Sequence, residues 1–515
     1  MSLLSSMRHH AFTKPEVFGA SAHPGSRPAG DALHGSAASA ATPPVALLGV
    51  AFDSLTLAEA LQRLEAMVAA RRPHYVVTAN VDFLAQARED VELHRILNDA
   101  HLVLCDGTPL VWASRLFGNA LPERVAGADL VPHLLRRAAR RRFRVYFLGA
   151  TPEANARAVA NVRAQFPGLL IAGSHAPPFR PLLEMNHEEI VARICAAQPD
   201  ILLVSFGCPK AEKWIGMHYQ RLGVPVTIGV GATIDFLAGR MKRAPVWMQR
   251  SGMEWLFRLC QEPRRLFRRY ARDLWSCGWG LAGQAWRTWP VRGRLHGCAG
   301  GPLSQTAVSW KRIRLGARLD AETIRRSSSV WECKDRDCFL HLADVRFVDS
   351  TGAGLLLRLR KTLRATGRTL VLIAPSEPVR RALAAMRVLD CFLQARDELE
   401  ARRCLAALRE QPAPVVVNCA ERPLRWQGEI TSRNAPDVWK LTEPHLSASH
   451  SHEGTITIDL SGVPFMDTAA LGLMVRAQSV AQTRGARVRF AGASPDLRKV
   501  VGRSHLESLL VEDAA

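Results

Sequence analysis

The chain has 515 residues, of which 48% are hydrophobic and 22% are charged, a composition typical of folded globular domains. Its 68 Lys and Arg against 47 Asp and Glu give a net charge of +21, which predicts nucleic acid, an anionic membrane surface or a phosphate-bearing substrate as partner. The 11 cysteines form no CxxC pair, and no apolar run is long enough to span a membrane. Disulfide scaffolds and multipass transporters are therefore excluded, a reducing cytosol is expected, and the length predicts about three domains.

The N-terminal part of the chain changes character near residue 45. Residues 1–44 are rich in Ala, Gly, Pro, Ser and His and have no periodic apolar face, which predicts a disordered tail rather than an export signal. The apolar run Val45–Phe52 then predicts a strand.

Residues 45–240 alternate strand-like and helical patterns, which predicts an α/β domain with a parallel sheet covered on both faces. The predicted strands are Tyr75–Thr78, Leu102–Cys105, Val145–Leu148, Leu169–Ala172, Ile201–Ser205 and Val226–Val230. The predicted helices are Leu57–Ala70, Leu84–Asp99, Glu153–Phe166 and Glu188–Ala197. Ligands bind such sheets beyond the carboxyl ends of the strands, so the residues that follow each strand are the candidate site.

Three of these strands are followed by residues suited to bind or activate a substrate. Thr78 and Asn80 can orient a sugar or phosphate, although such residues also dominate ordinary turns. Asp106, in an Asp-Gly pair, is placed either to act as a general base or simply to form a turn. After the last strand, Gly229 and Gly231 allow close approach of a ligand, and Asp235 can bind a sugar hydroxyl.

Residues 241–294 are basic and rich in tryptophan. From residue 240 onward this region holds 13 Lys and Arg against three acidic residues, together with six of the 12 Trp. Arg258, Arg265 and Arg268 are spaced to share one helical face, unless Pro263 breaks the helix. Converging arginines suit a diphosphate. Interleaved Trp and Arg predict a helix that lies on anionic lipid. No stretch of the sequence is typical of a nucleic-acid-binding motif.

The C-terminal part contains an internal repeat. The stretch Phe339–Leu355 of the first copy corresponds to Ile456–Gly472 of the second. Two tandem α/β domains follow, at residues 303–408 and 414–515.

Six stretches of the first domain resemble, in order and spacing, the WecG/TagA/CpsF family of bacterial glycosyltransferases (glycosyltransferase family 26). They are Asp106-Gly107, Arg124–Asp129, Phe206–Lys210, Gly229–Asp235, Arg243–Trp247 and Glu254–Arg268. The resemblance implies a Rossmann-like domain with a basic helical appendage. It also implies inverting transfer of N-acetylmannosamine, its uronic acid or glucose from a UDP-sugar to a polyprenyl-diphosphate-linked sugar. No metal or other cofactor is expected, and the enzyme would lie at the inner face of the cytoplasmic membrane.

The same resemblance implies roles for particular residues. Asp106 matches the family's base, and Thr78, Asn80 and Arg124 match polar positions of the active site. The resemblance also implies that Arg258, Arg265 and Arg268 belong to an appendage that closes over the site. Lys210, Gly229, Gly231 and Asp235 are expected to bind the substrate or its diphosphate.

One residue departs from the family pattern. The family reads Pro-Lys-Gln-Glu, whereas this chain has Ala211 in the place of Gln. Loss of that amide would weaken substrate positioning. The alternative function is therefore a catalytically weak, transferase-like scaffold in phospho-signalling.

Both repeats resemble STAS domains, named for sulfate transporters and anti-sigma factor antagonists. The resemblance rests on Phe347–Leu355 and Phe465–Gly472, each with an Asp at the start of a predicted helix. It implies a regulatory or docking role, a possible kinase partner, and Thr351 as the phosphoacceptor. Simple helix capping at this position is the alternative. Ala469 stands at the corresponding place in the second copy, beside Thr468.

Overall fold

The structure is a computed structural model that describes most of the chain. The described residues are 43–116, 120–241, 243–245, 247–248, 253–261, 263–288, 303–306, 310–326, 331, 333–409, 415–417, 424–448 and 455–511. The predicted tail at 1–44 therefore lies, except for its last two residues, outside the described part of the chain.

The run Val45–Phe52 forms a hairpin, so the prediction of a single strand was wrong. Strands β1 (Val45–Leu47) and β2 (Val50–Phe52) pair antiparallel. Leu48 and Gly49 join them with φ angles of 47° and 90°. Two consecutive residues at positive φ make a tight turn that matches the twist of the flanking strands. Gly49 was the one sequence signal for this turn.

The six strands that follow form one parallel sheet, as predicted. They are β3 (His74–Ala79), β4 (Leu102–Cys105), β5 (Arg144–Gly149), β6 (Leu170–His175), β7 (Ile201–Ser205) and β8 (Val226–Gly229). Their order in the sheet is β4-β3-β8-β7-β5-β6, which places β3 and β8 side by side near one end. Alternate residues of β3 enter different cores: Tyr75, Val77 and Ala79 face one and Val76 the other. Both faces of the sheet are therefore covered.

Nine helices of this domain are described, and one predicted helix proves to be two. They are α1 (Leu57–Ala69), α2 (Val81–Ala87), α3 (Val91–Asp99), α4 (Thr108–Leu116), α5 (Gly127–Arg141), α6 (Pro152–Gln165), α7 (His187–Ala197), α8 (Lys210–Leu222) and α9 (Thr233–Leu237). The predicted helix Leu84–Asp99 is divided between α2 and α3. The Asp90 side chain accepts a hydrogen bond from the Leu93 amide and so begins a new helix.

Two further helices extend the domain. They are α10 (Glu254–Gln261) and α11 (Pro263–Thr288), and Pro263 starts the second rather than kinking a single helix. Helix α11 packs on α2, where Arg272 Nη2 lies 2.9 Å from Asp82 Oδ1. Along the described residues, no helix combines the length and the apolar character that crossing a bilayer requires.

The first repeat is an α/β domain. Its main sheet has the order β15-β14-β12-β10-β9, in which only β9 runs antiparallel to its neighbour. A separate two-stranded ribbon joins β11 to β13. The strands are β9 (Leu303–Thr306), β10 (Trp310–Arg314), β11 (Arg318–Leu319), β12 (Asp337–His341), β13 (Phe347–Val348), β14 (Leu370–Ile373) and β15 (Leu393–Ala395). The helices are α12 (Ala321–Arg326), α13 (Ser350–Ala365), α14 (Glu377–Ala385) and α15 (Glu398–Arg409).

The second repeat has the same α/β character. Its sheet has the order β16-β17-β18-β19, with β16 (Val415–Val417), β17 (Leu424–Gln427), β18 (Thr455–Gly462) and β19 (Arg487–Ala491). Its helices are α16 (Ala435–Ala448), α17 (Thr468–Gln482) and α18 (Pro495–Arg503). Helices α13 and α17 are the equivalent elements of the two copies, and Asp349 and Asp467 cap them.

The β1–β2 hairpin is shared between the N-terminal domain and the first repeat. Val45 and Leu47 lie in the core of the N-terminal domain, whereas Ala46 lies in the core of the first repeat. Successive strand residues point to opposite faces, so a three-residue strand can serve both cores. Gln284 of α11 adds two hydrogen bonds of 3.1 Å to the hairpin backbone.

Candidate active site

Asp106 lies at the carboxyl edge of the parallel sheet, directly after β4. Its amide donates to the Ala79 carbonyl at the end of β3 (2.8 Å), and its Oδ2 accepts from the amide of Gly127, the first residue of α5 (3.4 Å). A Cβ at residue 127 would lie 3.4 Å from Thr78 Oγ1, so glycine allows this helix N-terminus to pack close to β3. The partial positive charge of the helix end therefore faces the carboxylate.

Burial raises the pKa of the Asp106 carboxyl to about 6. Arg124, Arg258 and the Gly127 amide lower this pKa, and Glu254 raises it, but desolvation is the largest effect. Such a carboxyl is ionised at neutral pH and is more basic than an ordinary aspartate. Both properties suit a general base.

Thr78 and Asn80 lie at the carboxyl end of β3, the strand next to β4, which Asp106 follows. Both side chains already form hydrogen bonds within the protein. Thr78 is buried and its Oγ1 donates to the Gly229 carbonyl (3.3 Å). Asn80 caps α2, since its Oδ1 accepts from the amides of Asp82 and Phe83. Asn80 is therefore a helix cap in this structure, and any contact of either residue with substrate stays a prediction.

An ion-pair network joins the end of the sheet to the appended helices. Arg124 Nη1 donates to Glu254 Oε2 (2.6 Å), and its Nη2 donates to Asp129 Oδ2 (2.8 Å). Arg243 Nη1 donates to Asp129 Oδ1 (2.6 Å), and Arg258 Nη2 lies 3.6 Å from Glu254 Oε1. Glu254 and Arg258 belong to α10, so this helix is held over the sheet edge through largely buried charges.

The network leaves buried hydrogen-bond donors unused. Nε of Arg243 and Nε of Arg258 have no hydrogen-bond partner among the described residues, and Nη2 of Arg243 makes no hydrogen bond there, although it lies 3.7 Å from Glu254 Oε2. An unsatisfied buried donor costs on the order of 1–3 kcal/mol, so acceptor oxygens brought by a ligand would be favoured here. Guanidinium groups bind phosphate oxygens in this manner. The described residues contain no group of three or more His, Cys, Asp or Glu placed to hold a metal ion.

The three arginines that were predicted to share a face are divided between two helices. Arg258 lies in α10 and stacks over the Phe236 ring (5.1 Å), while Arg268 lies exposed on α11. The side chain of Arg265 lies outside the described residues. The prediction that Pro263 breaks the helix or starts a new one is therefore confirmed, and Arg258 does not share a helix with Arg265 and Arg268.

The remaining predicted site residues are distributed along the same domain. Gly229 ends β8, and Gly231 follows at a φ of 51° with open space where a Cβ would stand. Asp235 makes a surface ion pair with Arg240 (4.0 Å). Lys210 donates to the Arg180 carbonyl and lies 4.9 Å from the Phe179 ring, so it contacts the loop before α7.

Glu212 is a buried carboxylate that the sequence analysis did not assign to the site. Its Oε2 has no partner among the described residues, and burial raises its pKa to about 7. A Cβ at Gly229 would lie 2.7 Å from Glu212 Oε1, so this carboxylate sits against the end of β8. Its neighbour Ala211 is 1% exposed and packs in the core. The sequence signal for Glu212 was its place in the Pro-Lys-Ala-Glu stretch, directly after Ala211, the residue that departs from the family pattern. Asp129, Arg243 and Glu254 also lie in stretches that resemble the family, and they too were not assigned to the site.

Thr351 of the first repeat is completely buried in the first turn of α13. The side chain of Asp349 accepts hydrogen bonds from the amides of Thr351 (2.9 Å) and Gly352 (2.8 Å), so the capping interpretation is correct. The Thr351 hydroxyl has no partner among the described residues. In this arrangement the hydroxyl is shielded from any kinase, and its role as phosphoacceptor stays a prediction.

Comparison with known proteins agrees with this geometry. Residues 45–290 match the model of the Glycosyl transferase WecG/TagA/CpsF family. A protein of Bacillus spizizenii (strain W23) is 32% identical over 191 residues, covering 37% of this chain and 72% of its own length. A protein of Staphylococcus aureus (strain MW2) is 29% identical over 229 residues, covering 44% of this chain and 88% of its own. Both carry the name N-acetylglucosaminyldiphosphoundecaprenol N-acetyl-beta-D-mannosaminyltransferase.

The parallel sheet, the site at its edge and the similarity to these relatives together define the N-terminal domain as a glycosyltransferase. The chain belongs to the WecG/TagA/CpsF family.

The two repeats are STAS domains. Residues 318–401 match the STAS domain model, and residues 405–512 match the model described as Mlab, STAS domain. The anti-sigma factor antagonist SpoIIAA in its unphosphorylated form is similar at 22% identity, over 21% of this chain and 97% of its own, with a TM-score of 0.18. The STAS assignment therefore depends on the family models.

Proposed function

We propose that the chain transfers N-acetylmannosamine from UDP-N-acetylmannosamine to N-acetylglucosamine linked through a diphosphate to a polyprenyl lipid. The names of the relatives support the transferred sugar and the acceptor. The observation that carries the proposal is Asp106, a carboxylate of raised pKa at the sheet edge, beside arginines with unused donors.

Asp106 acts as the base in this proposal. The acceptor hydroxyl oxygen attacks the anomeric carbon of the donor sugar from the side opposite the UDP. The new carbon–oxygen bond forms as the bond to the UDP oxygen breaks, the electron pair leaves with UDP, and the hydroxyl proton passes to Asp106. The anomeric configuration is thereby inverted.

We infer that guanidinium groups, rather than a metal ion, stabilise the departing diphosphate. Arg243 and Arg258 supply the buried donors described above, and Glu254 and Asp129 hold Arg124 and Arg243 in place. Preorganised charges of this kind stabilise the transition state without having to reorganise during the reaction. Turnover is therefore expected to persist in EDTA.

Helix α11 supports a peripheral position on an anionic membrane. The face opposite its buried residues exposes Trp275 and Trp279, at 73% and 68%, and Phe267 is exposed on the flank of the helix at 65%. Arg264 and Arg268 are exposed on the same face. Exposed aromatics alternating with arginines suit the interface between headgroups and acyl chains, where a polyprenyl-linked acceptor is found.

The test is transfer by the purified full chain to a synthetic polyprenyl-diphosphate N-acetylglucosamine. UDP-N-acetylmannosamine is expected to give a disaccharide-lipid product and UDP, and UDP-glucose and the mannosaminuronic acid donor test the other two sugars. Asp496→Asn, an exposed carboxylate of α18, serves as the matched control for Asp106→Asn. No product with any of these donors would favour the scaffold alternative.

Binding to the membrane is tested separately by sedimentation with vesicles containing anionic phospholipid. Replacing Trp275 and Trp279 with Ser is expected to reduce binding on the order of tenfold or more, because two large apolar side chains no longer enter the interface. Leu399→Ser with Leu408→Ser, two exposed apolar residues on α15, is the matched control. Equal binding by both double variants would contradict the membrane role of α11.

A further inference from the structure

Helix α3 of the transferase domain carries three charged residues that face the STAS domains. Glu92, Arg95 and Asp99 stand at positions i, i+3 and i+7, which places them on one side of the helix. Glu92 and Arg95 contact the second STAS domain, and Asp99 contacts the first. One short helix is thus a contact surface for both modules.

Glu92 is bound at the N-terminus of α17 in the second STAS domain. Its Oε1 accepts from the Thr468 amide (2.7 Å), and its Oε2 accepts from the Thr468 hydroxyl (2.6 Å). Both residues are buried, at 8% and 5% exposure. A carboxylate that receives an amide and a hydroxyl at a helix N-terminus makes charge-assisted hydrogen bonds, which are stronger than neutral ones.

The surroundings balance the buried charge of Glu92. Lys213 Nζ of α8 lies 2.9 Å from Glu92 Oε2 and 2.7 Å from Asp90 Oδ2. On the STAS side, Asp467 stands next to Thr468, and burial together with Glu92 raises its pKa to about 6. Glu92 therefore shares the lysine with Asp90 and the helix end with Asp467, so a further negative charge at this point would be repelled.

A second charged contact has the opposite sign. Both guanidinium Nη atoms of Arg95 donate to the Glu429 carboxylate (3.1 Å each), and the same guanidinium covers the Phe465 ring at 3.7 Å. On the first STAS domain, Arg364 donates to Asp99 (2.9 Å). Glu92, Arg95 and Asp99 of α3 therefore meet a helix N-terminus, a carboxylate and a guanidinium group, respectively, and this order fixes the register of docking.

The two STAS copies use the equivalent helix differently. In the first copy, a Cβ at Gly354 would lie 2.2 Å from the Pro44 carbonyl oxygen, so α13 packs directly on the chain before β1. At the corresponding Gly472 of the second copy, nothing lies within 4 Å of an added Cβ. The second copy leaves room beside α17, where a cavity of about 630 Å³ separates it from the transferase domain. Its attachment depends on specific polar contacts more than on close packing.

We propose that the second STAS domain is an intramolecular docking module whose partner is helix α3 of its own transferase domain, with the Glu92 carboxylate as the group that the N-terminus of α17 recognises. The Thr468 amide and hydroxyl bind this carboxylate, and the Arg95–Glu429 ion pair sets the orientation of the docked domain. This docking does not depend on which sugar the enzyme transfers.

The test is hydrogen–deuterium exchange of the full chain, followed in peptides covering 91–99 and 466–472. Glu92→Gln is expected to speed exchange in both peptides about tenfold, because the charge and one acceptor are lost. Thr468→Glu is expected to do so at least as strongly, because it places a carboxylate against Glu92 and Asp467. Two matched controls, Glu153→Gln on α6 and Ser479→Glu on the exposed side of α17, are expected to change exchange less than twofold.

The double variant Glu92→Gln, Thr468→Glu separates recognition from loss of folding. With Glu92 neutral, the added effect of Thr468→Glu is expected to shrink several-fold, since residues in contact are not additive. Peptides from β18 and β19 report whether the STAS core stays folded; if Thr468→Glu unfolds it, Glu92→Gln, which lies in the other domain, decides alone. Unchanged exchange in Glu92→Gln, or an undiminished effect of Thr468→Glu in the double variant, would overturn the proposal.

Discussion

Asp106, half-buried at the sheet edge, and Glu92, buried at the start of α3, are two carboxylates of one transferase domain, but their surroundings differ. Asp106 accepts a single long hydrogen bond of 3.4 Å from Gly127, and burial raises its pKa. Glu92 accepts two short hydrogen bonds and pairs with Lys213. Among the described residues, the Asp106 carboxylate has one hydrogen-bond partner, and the Glu92 carboxylate has three polar partners.

This difference separates chemistry from docking. A general base must release its bonds and accept a proton, so an under-coordinated carboxylate of raised pKa suits the catalytic edge. A docking residue must hold a fixed geometry, which saturated bonds provide. Helix α8 belongs to both regions, because Glu212 lies against Gly229 and Lys213 pairs with Glu92. The following variants test whether the catalytic sheet edge and the docking contact of α3 change independently of each other.

The largest expected effect is the loss of turnover in Asp106→Asn. The amide cannot take the proton of the acceptor hydroxyl, so kcat is expected to fall about 10²- to 10⁴-fold. Hydrogen exchange in the peptide 91–99 is expected to stay unchanged, because Asp106 makes no contact with α3 among the described residues. The check is steady-state kinetics beside exchange on the same preparation. A variant with full activity would remove Asp106 as the base.

A second large effect concerns docking of the first STAS domain. Gly354→Ala places a Cβ 2.2 Å from the Pro44 carbonyl oxygen, a backbone atom that cannot move aside easily. Overpacking of this kind costs about 1–3 kcal/mol, although Ala is otherwise favoured over Gly inside a helix. Gly472→Ala is the matched control at the equivalent position, where space is open, and it is expected to stabilise the chain slightly. Thermal unfolding distinguishes the two, and equal melting temperatures would contradict the close packing of α13.

Much of the fold was predictable from local patterns. The six parallel strands follow apolar runs, and their carboxyl ends placed Thr78 and Asp106 at one edge in advance. The two errors arose where a single residue overrides the pattern. Gly49 turns an apolar run into a hairpin, and Asp90 caps a new helix inside a periodic stretch.

The parts that could not be predicted depend on contacts far apart in sequence. The Arg124–Glu254 pair joins residues 130 positions apart, and the Thr468–Glu92 contact joins residues 376 positions apart. No local period or motif spacing encodes such pairs. The internal repeat predicted two similar modules, but it carried no information on the different ways in which they attach.

The two regions are expected to respond oppositely to pH. Asp106 must be ionised to act as base, so turnover is expected to fall about tenfold per unit below its pKa of about 6. Burial and the Glu92 carboxylate raise the pKa of Asp467 to about 6 as well, so ionised Asp467 opposes docking above pH 6. Protonation between pH 7 and 5 removes that repulsion, and exchange in peptide 466–472 is expected to slow. After correction for the intrinsic pH dependence of amide exchange, protection of this peptide is therefore expected to rise as turnover falls, and protection that fell together with turnover would contradict the assignment to Asp467.

The smallest expected effect is that of Ala211→Gln on α8, the helix that touches both regions. Ala211 is 1% exposed and packed in the core, so Gln must displace neighbouring side chains at a cost of about 1–3 kcal/mol. The melting temperature is expected to fall by a few degrees, while exchange in peptide 91–99 stays unchanged, since the Glu92–Lys213 pair does not involve residue 211. Ala58→Gln on the exposed side of α1 is the matched control. If Ala211→Gln instead raised turnover tenfold, the natural alanine would be a lesion in the active site, and the scaffold function would gain over the transferase.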